Sequence, residues 1–328
     1  MTLSEPTPAT VESPRRLGLS YHKLFWASVV SNLGDGMATI AYPWLASAVT
    51  RDPLLVALVL VAQRLPWLVF TLPAGVITYR VDRRKVMALM DSLRAVLTLA
   101  VAFAVLGNQG SLPGPKELDS VTGTRTGLYL LVLIATLLLG SAEVLRDNSA
   151  QTLMPDLVHP SQLEKANGRL WSIEAITNTF VGPPLGSILL LGAFSLPFFV
   201  DAGTFFVSAA LLALIPGVFR AGRSADADAG STSFRSELAE GVRWLMGHSL
   251  LRPMAIILGL MNAATAASGA TFVLYSQEVL GIGPFLFSIL TVGGAIGGLV
   301  GGNVASVVSR RFGSGTCLAA VLLISTFT

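Results

Sequence analysis

The chain has 328 residues, of which 52% are hydrophobic and only 12% are charged. A soluble domain of ordinary composition is about 25% charged, so this composition excludes a water-soluble globular protein and indicates a chain that lies in lipid. The net charge of +3 does not indicate nucleic-acid binding, because the lysines and arginines stand in the short segments between apolar runs, where they act as topology signals. The single cysteine, Cys317, excludes an internal disulfide and a cysteine-based metal site.

Residues 1–24 form a polar segment that we predict to be a cytoplasmic N-terminal tail. The apolar run that follows it is too long for the core of a cleavable signal peptide. Eight runs are each long enough to cross about 30 Å of hydrocarbon at ~1.5 Å per residue, and a ninth begins near residue 315. The eight runs lie at 25–49, 54–78, 86–106, 127–147, 168–192, 194–216, 252–276 and 284–308.

The basic residues between the runs are distributed unequally over the two sides of the membrane. With the N-terminus inside, the only lysines and arginines on the outer side are Arg51, Lys116 and Arg125. Cytoplasmic segments of membrane proteins carry the excess of basic residues. We therefore predict an all-α, polytopic protein of the cell inner (plasma) membrane, with a cytoplasmic N-terminus and the lipid bilayer as a partner.

A polar stretch after the sixth run divides the chain. Residues 220–232 are rich in Ala, Gly, Ser and Asp, which is typical of a flexible linker, and the residues after it alternate at helical spacing between apolar and charged. We predict an N-terminal six-helix bundle at 25–217, a cytoplasmic linker with an amphipathic helix at 218–250, and the start of a C-terminal bundle at 251–328.

A glycine followed eight residues later by an arginine pair occurs twice, beginning at Gly75 and at Gly302. The offset of 227 residues also superimposes the first apolar run on the seventh, and it places Asn262 opposite Asp35. This agreement indicates a duplicated helical unit. The second unit then stops early at Thr328, which gives eight complete transmembrane helices and part of a ninth, and we expect an intact coding sequence to continue for roughly a hundred residues.

The loop after the second run resembles the signature G-x-x-x-D-R-x-G-R-R-R/K between the second and third helices of the major facilitator superfamily. Tyr79 stands at the position of the family's Asp, and Asp82 at that of a Gly. The resemblance implies a two-bundle major facilitator fold in which this loop acts in the conformational switch, with Asp82 as a candidate to replace the missing acid. The matching residues are Gly75, Arg80, Arg83, Arg84 and Lys85.

The fifth run contains Gly182, Pro183, Pro184 and Gly186. This run resembles the antiporter motif of the superfamily, although Ser187 replaces the motif's final Gly. Proline removes a backbone donor and small residues allow helices to approach closely, so we predict a kinked, tightly packed segment. Plain helix packing explains the run as well as antiport does, and the likeness to the branch of bacterial drug exporters and the enterobactin exporter favours export.

Asp35 and Arg64 lie near the middle of the first two runs, where an ionised side chain costs at least about 2.5 kcal/mol. Because the two residues come to a similar depth, we predict that they pair. One hypothesis is that Asp35 gains and loses a proton as the transporter alternates, and the other is that the pair permanently fixes the two helices.

Glu143 and Glu174 are further acidic residues of the fourth and fifth runs. Glu143 either pairs with Arg146, three residues away, or binds a cationic solute. We predict an interfacial pair between Asp91 and Arg94, and we expect Asp201, near the outer end of the sixth run, to reach water. The predicted proton-coupling and substrate cavity consists of Asp35, Arg64, Glu143, Glu174 and Asn262.

Enzymatic motifs such as H-E-x-x-H, G-x-S-x-G and the P-loop are absent from the sequence. This absence argues against catalytic residues and against direct coupling to ATP. The resemblance to the major facilitator superfamily then implies a transporter without metal or cofactor, which uses the proton gradient to export a small lipophilic solute such as a drug or a siderophore-like compound. The alternatives are a proton-coupled uptake symporter and a truncated, transport-incompetent membrane fragment.

Overall fold

The computed structural model describes residues 17–114, 118, 121, 123–219, 243–313 and 315–317. Within these ranges, the side chains of 71–73, 75–80, 258, 262–267, 270, 302–303, 305–307 and 312 are also left out of the description. The described part is almost entirely helical and contains no strand, which confirms the all-α prediction for these residues.

Long helices follow one another with short connections. The fifth stretch is composite, since α5 continues into a π-helical segment and then into α6 without a turn. The elements are α1 (Leu19–Val49), α2 (Pro53–Arg80), α3 (Arg83–Gly107), α4 (Thr126–Leu157), α5 (Leu163–Glu174), the π-helical segment (Ala175–Val181), α6 (Gly182–Gly192), α7 (Leu196–Ala213), α8 (Leu251–Glu278) and α9 (Pro284–Phe312).

Six helical stretches are long and apolar enough to cross a membrane. They coincide with six of the apolar runs of the sequence, whereas α1 and α8 do not meet the same criterion over their described residues. The six stretches are Pro53–Phe70, Arg83–Gly107, Thr126–Leu157, Pro160–Gly192, Leu196–Ala213 and Pro284–Gly301.

Helix ends follow local rules of sequence. α2 begins with Pro53 in its first turn, and the carboxylate of Asp52 accepts a hydrogen bond from the Leu54 N–H at 2.9 Å. α9 also begins with a proline, and it ends at Gly313, whose φ of +82° is the conformation that favours glycine. The two ends of α9 and the start of α2 therefore each have a local cause in the sequence.

α1 lies at the centre of the bundle and packs against α7, α6 and the π-helical segment. Around it, α3 packs on α4 and α7, and α2 packs on α4. One apolar cluster, with Tyr21, Leu24 and Met87, lies at the end where α1 begins, which we call the first end. Another, with Trp44 and Phe198, lies at the end where α1 terminates, the far end. The middle of the bundle lies between these clusters and is polar.

α8 and α9 contact the rest of the molecule mainly near the far end. Among their described side chains, the buried ones are Val273, Leu274 and Ser276 on α8, with Pro284, Phe287 and Ser288 on α9. The described residues of α8 from 252 to 261, and most of those of α9 from 289 to 301, are exposed. Shifted by 227 residues, the bounds of α8 and α9 fall within five residues of those of α1 and α2, which agrees with the repeat.

Parts of the predicted organisation lie outside the described residues. They are the tail up to residue 16, the linker and amphipathic helix at 220–242, and the ninth run from 318. Residues 243–247, at the end of the predicted amphipathic helix, are helical.

Candidate functional site: a charged cluster inside the helix bundle

Charged side chains are concentrated in the middle of the bundle, between the two apolar clusters. They come from α1, α3, α4 and α7, so the packing of these helices brings together residues far apart in the sequence. We call this group the central charged cluster. Its members are Asp35, Asp91, Arg94, Glu143, Arg146, Asp147 and Asp201.

Arg94 lies at the centre of the cluster, and its side chain is only 2% exposed. Its Nη2 donates to Asp35 Oδ1, and its Nη1 lies 3.5 Å from Asp91 Oδ1 and donates to Ser31 Oγ at 3.3 Å. The guanidinium carbon lies 3.9 Å from the centre of the Phe205 ring, a cation–π geometry. Arg94 thereby joins α1, α3 and α7 through one side chain.

Asp91 connects this arginine to a second one. Its side chain is fully buried, accepts a hydrogen bond from Ser208 Oγ at 2.5 Å, and lies 3.7 Å from Arg146 Nε. Arg146 in turn donates to Asp147 Oδ1 at 2.9 Å and to Ser28 Oγ at 3.3 Å. Acidic and basic groups therefore alternate in one continuous network, in which each buried charge has an opposite charge beside it.

Two more carboxylates border this network. Asp201 is 2% exposed and packs against Gly34, directly beside Asp35. Glu143 is half-buried and lies within electrostatic reach of Asp35 and Arg64. The expectation that Asp201 reaches water is wrong, because α7 directs it into the bundle.

The composition of the cluster suits it to bind protons. It holds five carboxylates and two guanidinium groups, and a buried carboxylate without a compensating cation is stabilised by taking up a proton. Asp35 and Asp147 are 18% and 26% exposed, whereas Asp91 is fully buried. Asp35 is therefore the more accessible of the two carboxylates beside Arg94. Among the described residues, no group of three His, Cys, Asp or Glu side chains could hold a metal ion.

A polar network inside a bundle of apolar helices is an arrangement that membrane transporters use. The sequence matches the family model of the Major Facilitator Superfamily over residues 24–328. The chain belongs to the major facilitator superfamily. It is therefore a multi-pass membrane transporter, and its family is one of transporters rather than enzymes.

Two relatives within the superfamily align with nearly all of this chain. The multidrug efflux pump Tap of Mycolicibacterium fortuitum is 25% identical over 310 residues, which cover 91% of this chain and 70% of Tap. The uncharacterized MFS-type transporter YvqJ of Bacillus subtilis (strain 168) is 26% identical over 313 residues, which cover 92% of this chain and 68% of YvqJ. These identities agree with the family that the family model shows for this major facilitator transporter.

The predicted pair of Asp35 with Arg64 is wrong. Asp35 bonds to Arg94, and the Arg64 side chain is exposed. The predicted pair of Asp91 with Arg94 is present, but it is buried in the bundle rather than interfacial. Arg146 bonds to Asp147 and lies beside Asp91, and no described ion pair joins it to Glu143.

Sequence reasoning did not include Arg94 and Arg146 among the candidate site residues of this transporter. A signal was available, because both stand inside apolar runs, where an ionised side chain must have a partner. Glu174, at the C-terminal end of α5, is exposed but within electrostatic reach of Asp35 and Arg146. The side chain of Asn262 lies outside the described residues, although its backbone is part of α8.

The loop that carries the superfamily signature is held within the first bundle. Arg83 donates to Thr152 O at 2.9 Å and to Asp156 Oδ2 at 2.7 Å, near the C-terminal end of α4. Arg84 donates to the Ile215 carbonyl after α7. Asp82 precedes α3 and is 3% exposed. Two other predicted switch residues are Gly75 and Arg80. The surroundings of Gly75 and the side chain of Arg80 are not part of the description.

The predicted close packing of the fifth run is confirmed. A Cβ atom on Gly182 would lie 2.5 Å from Gly36 Cα, and one on Gly186 would lie 2.6 Å from the Met37 carbonyl oxygen. α6 therefore crosses α1 at backbone distance at the two residues that directly follow Asp35. The π-helical segment ends immediately before Gly182, where Pro183 and the proline after it supply no N–H to the preceding turn.

Proposed function

We propose that this transporter exports a small lipophilic solute in exchange for protons, with Asp35 as the proton-binding group. The observation that carries the proposal is the pair of Asp35 with Arg94 in a cluster where carboxylates outnumber guanidinium groups. The efflux activity in the name of the relative Tap supports the direction of transport.

Protonation of Asp35 would remove the negative charge on α1 that attracts Arg94 of α3. The guanidinium then has Asp91 as its remaining acidic partner, within its own helix. This exchange would release α1 from α3 and couple proton binding to a movement of the helices. Ser31, which bonds to Arg94, lies on α1 one turn before Asp35 and would lose the same partner.

The solute site that we propose is the space beside Arg64, Glu143 and Glu174. Arg64 and Glu143 are each partly exposed near the middle of α2 and α4, where an exposed charge requires water or a polar partner. Asn262 is proposed as the α8 counterpart of Asp35 on the second side of that space, from the repeat in the sequence.

We further propose the finer topology from the loop charges. The eight long helical stretches each cross the plasma membrane, the N-terminus and the first end lie in the cytoplasm, and a linker at 218–250 separates the six-helix bundle at 25–217 from a second bundle that starts at 251. The far end is then the external end.

Transport by purified protein in proteoliposomes tests the proposed coupling. The probe is the lipophilic dye that most raises the thermal unfolding midpoint of the purified protein in a dye panel. With an imposed pH gradient, we expect the dye and protons to move in opposite directions. Asp35→Asn should abolish gradient-driven dye movement at unchanged protein level, because the amide has no proton to exchange.

The matched control is Asp52→Asn. Asp52 caps α2 outside the cluster, and asparagine is an equally good N-cap, so this variant should transport normally. Full gradient-driven transport by Asp35→Asn would refute the role of Asp35. Dye and protons moving in the same direction would identify a symporter.

A further inference from the structure

A groove at the first end of the molecule lies between α1 and α5, apart from the central charged cluster. It has a volume of about 450 Å³. The α1 side consists of Tyr21, His22 and Phe25, and the opposite side runs from Lys165 to Ile176. The hydroxyl of Tyr21 donates to the Ala166 carbonyl at 3.3 Å, which joins the two helices next to Lys165.

The groove is basic at its mouth and apolar in its depth. Lys165 and Arg169 stand one turn apart on the exposed face of α5, with His22 opposite them, and none of the lining residues is acidic. Ile173 and Ile176 continue the same side of the groove one and two turns deeper. This order of a cationic head site followed by an apolar channel is complementary to an anion with a hydrocarbon tail.

Two tryptophans mark the depth of the groove in the membrane. Trp26 and Trp171 are the chain neighbours of the lining residues Phe25 and Ser172, and they are 56% and 64% exposed. Exposed tryptophans of membrane helices concentrate at the level of the lipid head groups. α9 packs against α6 and the π-helical segment further along the composite stretch. Among the described residues, α5 packs mainly on α1, α4 and the π-helical segment, and we infer that the groove beside its first half opens to the lipid.

We propose that this groove binds the head group of an acidic phospholipid of the inner leaflet. Lys165 and Arg169 bind the phosphate, and one acyl chain runs along Ile173 and Ile176. Basic pockets between helices on the cytoplasmic side of membranes select anionic lipids in this way. The proposal depends on the geometry of the groove and on the proposed orientation, and it is independent of which solute is transported.

Lipid retention by the purified chain tests the proposal. Native mass spectrometry in a neutral detergent would compare dioleoyl phosphatidylglycerol with dioleoyl phosphatidylcholine. We expect wild type to retain phosphatidylglycerol about tenfold better than phosphatidylcholine, and Lys165→Gln with Arg169→Gln to lose that preference. The matched control, Arg243→Gln with Arg252→Gln, removes the same charge from described residues outside the groove and should keep it.

A second variant tests the shape of the site without changing charge. A Cβ on Gly168 meets no atom within 4 Å, so Gly168→Leu should fill the groove and displace the lipid, whereas Gly203→Leu, equally unobstructed on α7, should not. Equal retention of both lipids by wild type, or unchanged retention in both groove variants, would overturn the proposal. Competition by inorganic phosphate as strong as that by the lipid would show an anion site without lipid selectivity, which also overturns it.

Photo-crosslinking with wild-type protein covers the case in which the variants fail to fold. A photoactivatable phosphatidylglycerol added to membranes should label peptides containing residues 21–26 or 165–176. Labelling confined to other peptides would contradict the site. Because this readout involves no transport, its failure leaves proton-coupled export untouched, and failure of export leaves the lipid site untouched.

Discussion

The interior of the first bundle and its contact with α8 and α9 are held together in different ways. Inside the bundle, Arg94 is buried among ion pairs and Gly36 touches Gly182 at backbone distance. The contact with α8 and α9 rests on a few groups near the far end, where Arg51 donates to Gln277 at 2.6 Å and to Glu278. The interior of the bundle therefore has more buried contacts, and we expect the contact with α8 and α9 to separate more readily.

The far end and the first end of that contact also differ. At the far end, Trp44 meets Phe287 edge to face, and Ser187 Oγ lies 3.1 Å from Ser288 Oγ. At the first end, the described residues of α8 from 252 to 261 are exposed. With the orientation that we propose, the described part of this contact is packed at the external end and exposed at the cytoplasmic end, which is the arrangement in which an exporter binds its solute from the cytoplasm.

The largest effect is expected from breaking the ion pairs inside the bundle. Arg94→Gln leaves Asp35 and Asp91 without their shared cation, and the loss of one partner from a buried pair costs about 3–5 kcal/mol of unfolding free energy. Arg64→Gln, the exposed control, should change it by less than about 0.5 kcal/mol. Thermal unfolding in detergent measures both, and equal midpoints would show that the cluster does not hold the bundle.

Arg94 and Arg64 also show how much of the site is predictable from the sequence. Depth in the membrane follows from residue number, so Asp35 was correctly expected in the middle of the bundle. Its partner was assigned incorrectly because the direction of a side chain around a helix depends on the packing of all its neighbours. α3, rather than α2, supplies the cation that reaches Asp35.

Most of the fold was predictable, because apolar runs and helix ends carry strong local signals. The turn chemistry of Asp52 and Pro53 marks the start of α2, and Gly313 marks the end of α9. The π-helical segment was not foreseen, since the two prolines at 183 and 184 predict a kink but leave open how the helix absorbs it. The same holds for Asp201, whose burial is set by the rotation of α7.

A smaller effect is expected from separating α1 and α6. Gly182→Ala places a Cβ against the Gly36 backbone, which has no side chain to yield, and overpacking of this kind costs about 1–3 kcal/mol. Gly203→Ala is the control, because a Cβ there meets no atom within 4 Å. A lower unfolding midpoint for the first variant alone would confirm that the crossing is rigid, and equal midpoints would contradict it.

The smallest effect is expected at the external contact. Arg51→Gln removes the hydrogen bonds to Gln277 and Glu278, and a partly exposed pair of this kind is worth about 0.2–1 kcal/mol. Ser276→Cys, at a fully buried position on α8, would report opening through its rate of labelling by an external thiol reagent in a Cys317→Ser background.

We expect Arg51→Gln to raise that labelling rate by a factor of about 2–5, in line with the energy of the pair. Arg125→Gln is the control, since Arg125 lies on the same side of the membrane and bonds to Ser111 rather than to α8. A rate that is unchanged in Arg51→Gln, or raised equally in both variants, would show that Arg51 does not hold the contact closed.

The most direct test of the account is to lock the external contact. Ser187→Cys and Ser288→Cys place two thiols where the hydroxyl oxygens lie 3.1 Å apart, and they would be oxidised to a disulfide in a Cys317→Ser background. We predict that the oxidised protein still binds the dye but does not transport it, and that a reductant restores transport. Undiminished transport with the disulfide closed would contradict the claim that this contact opens during each cycle.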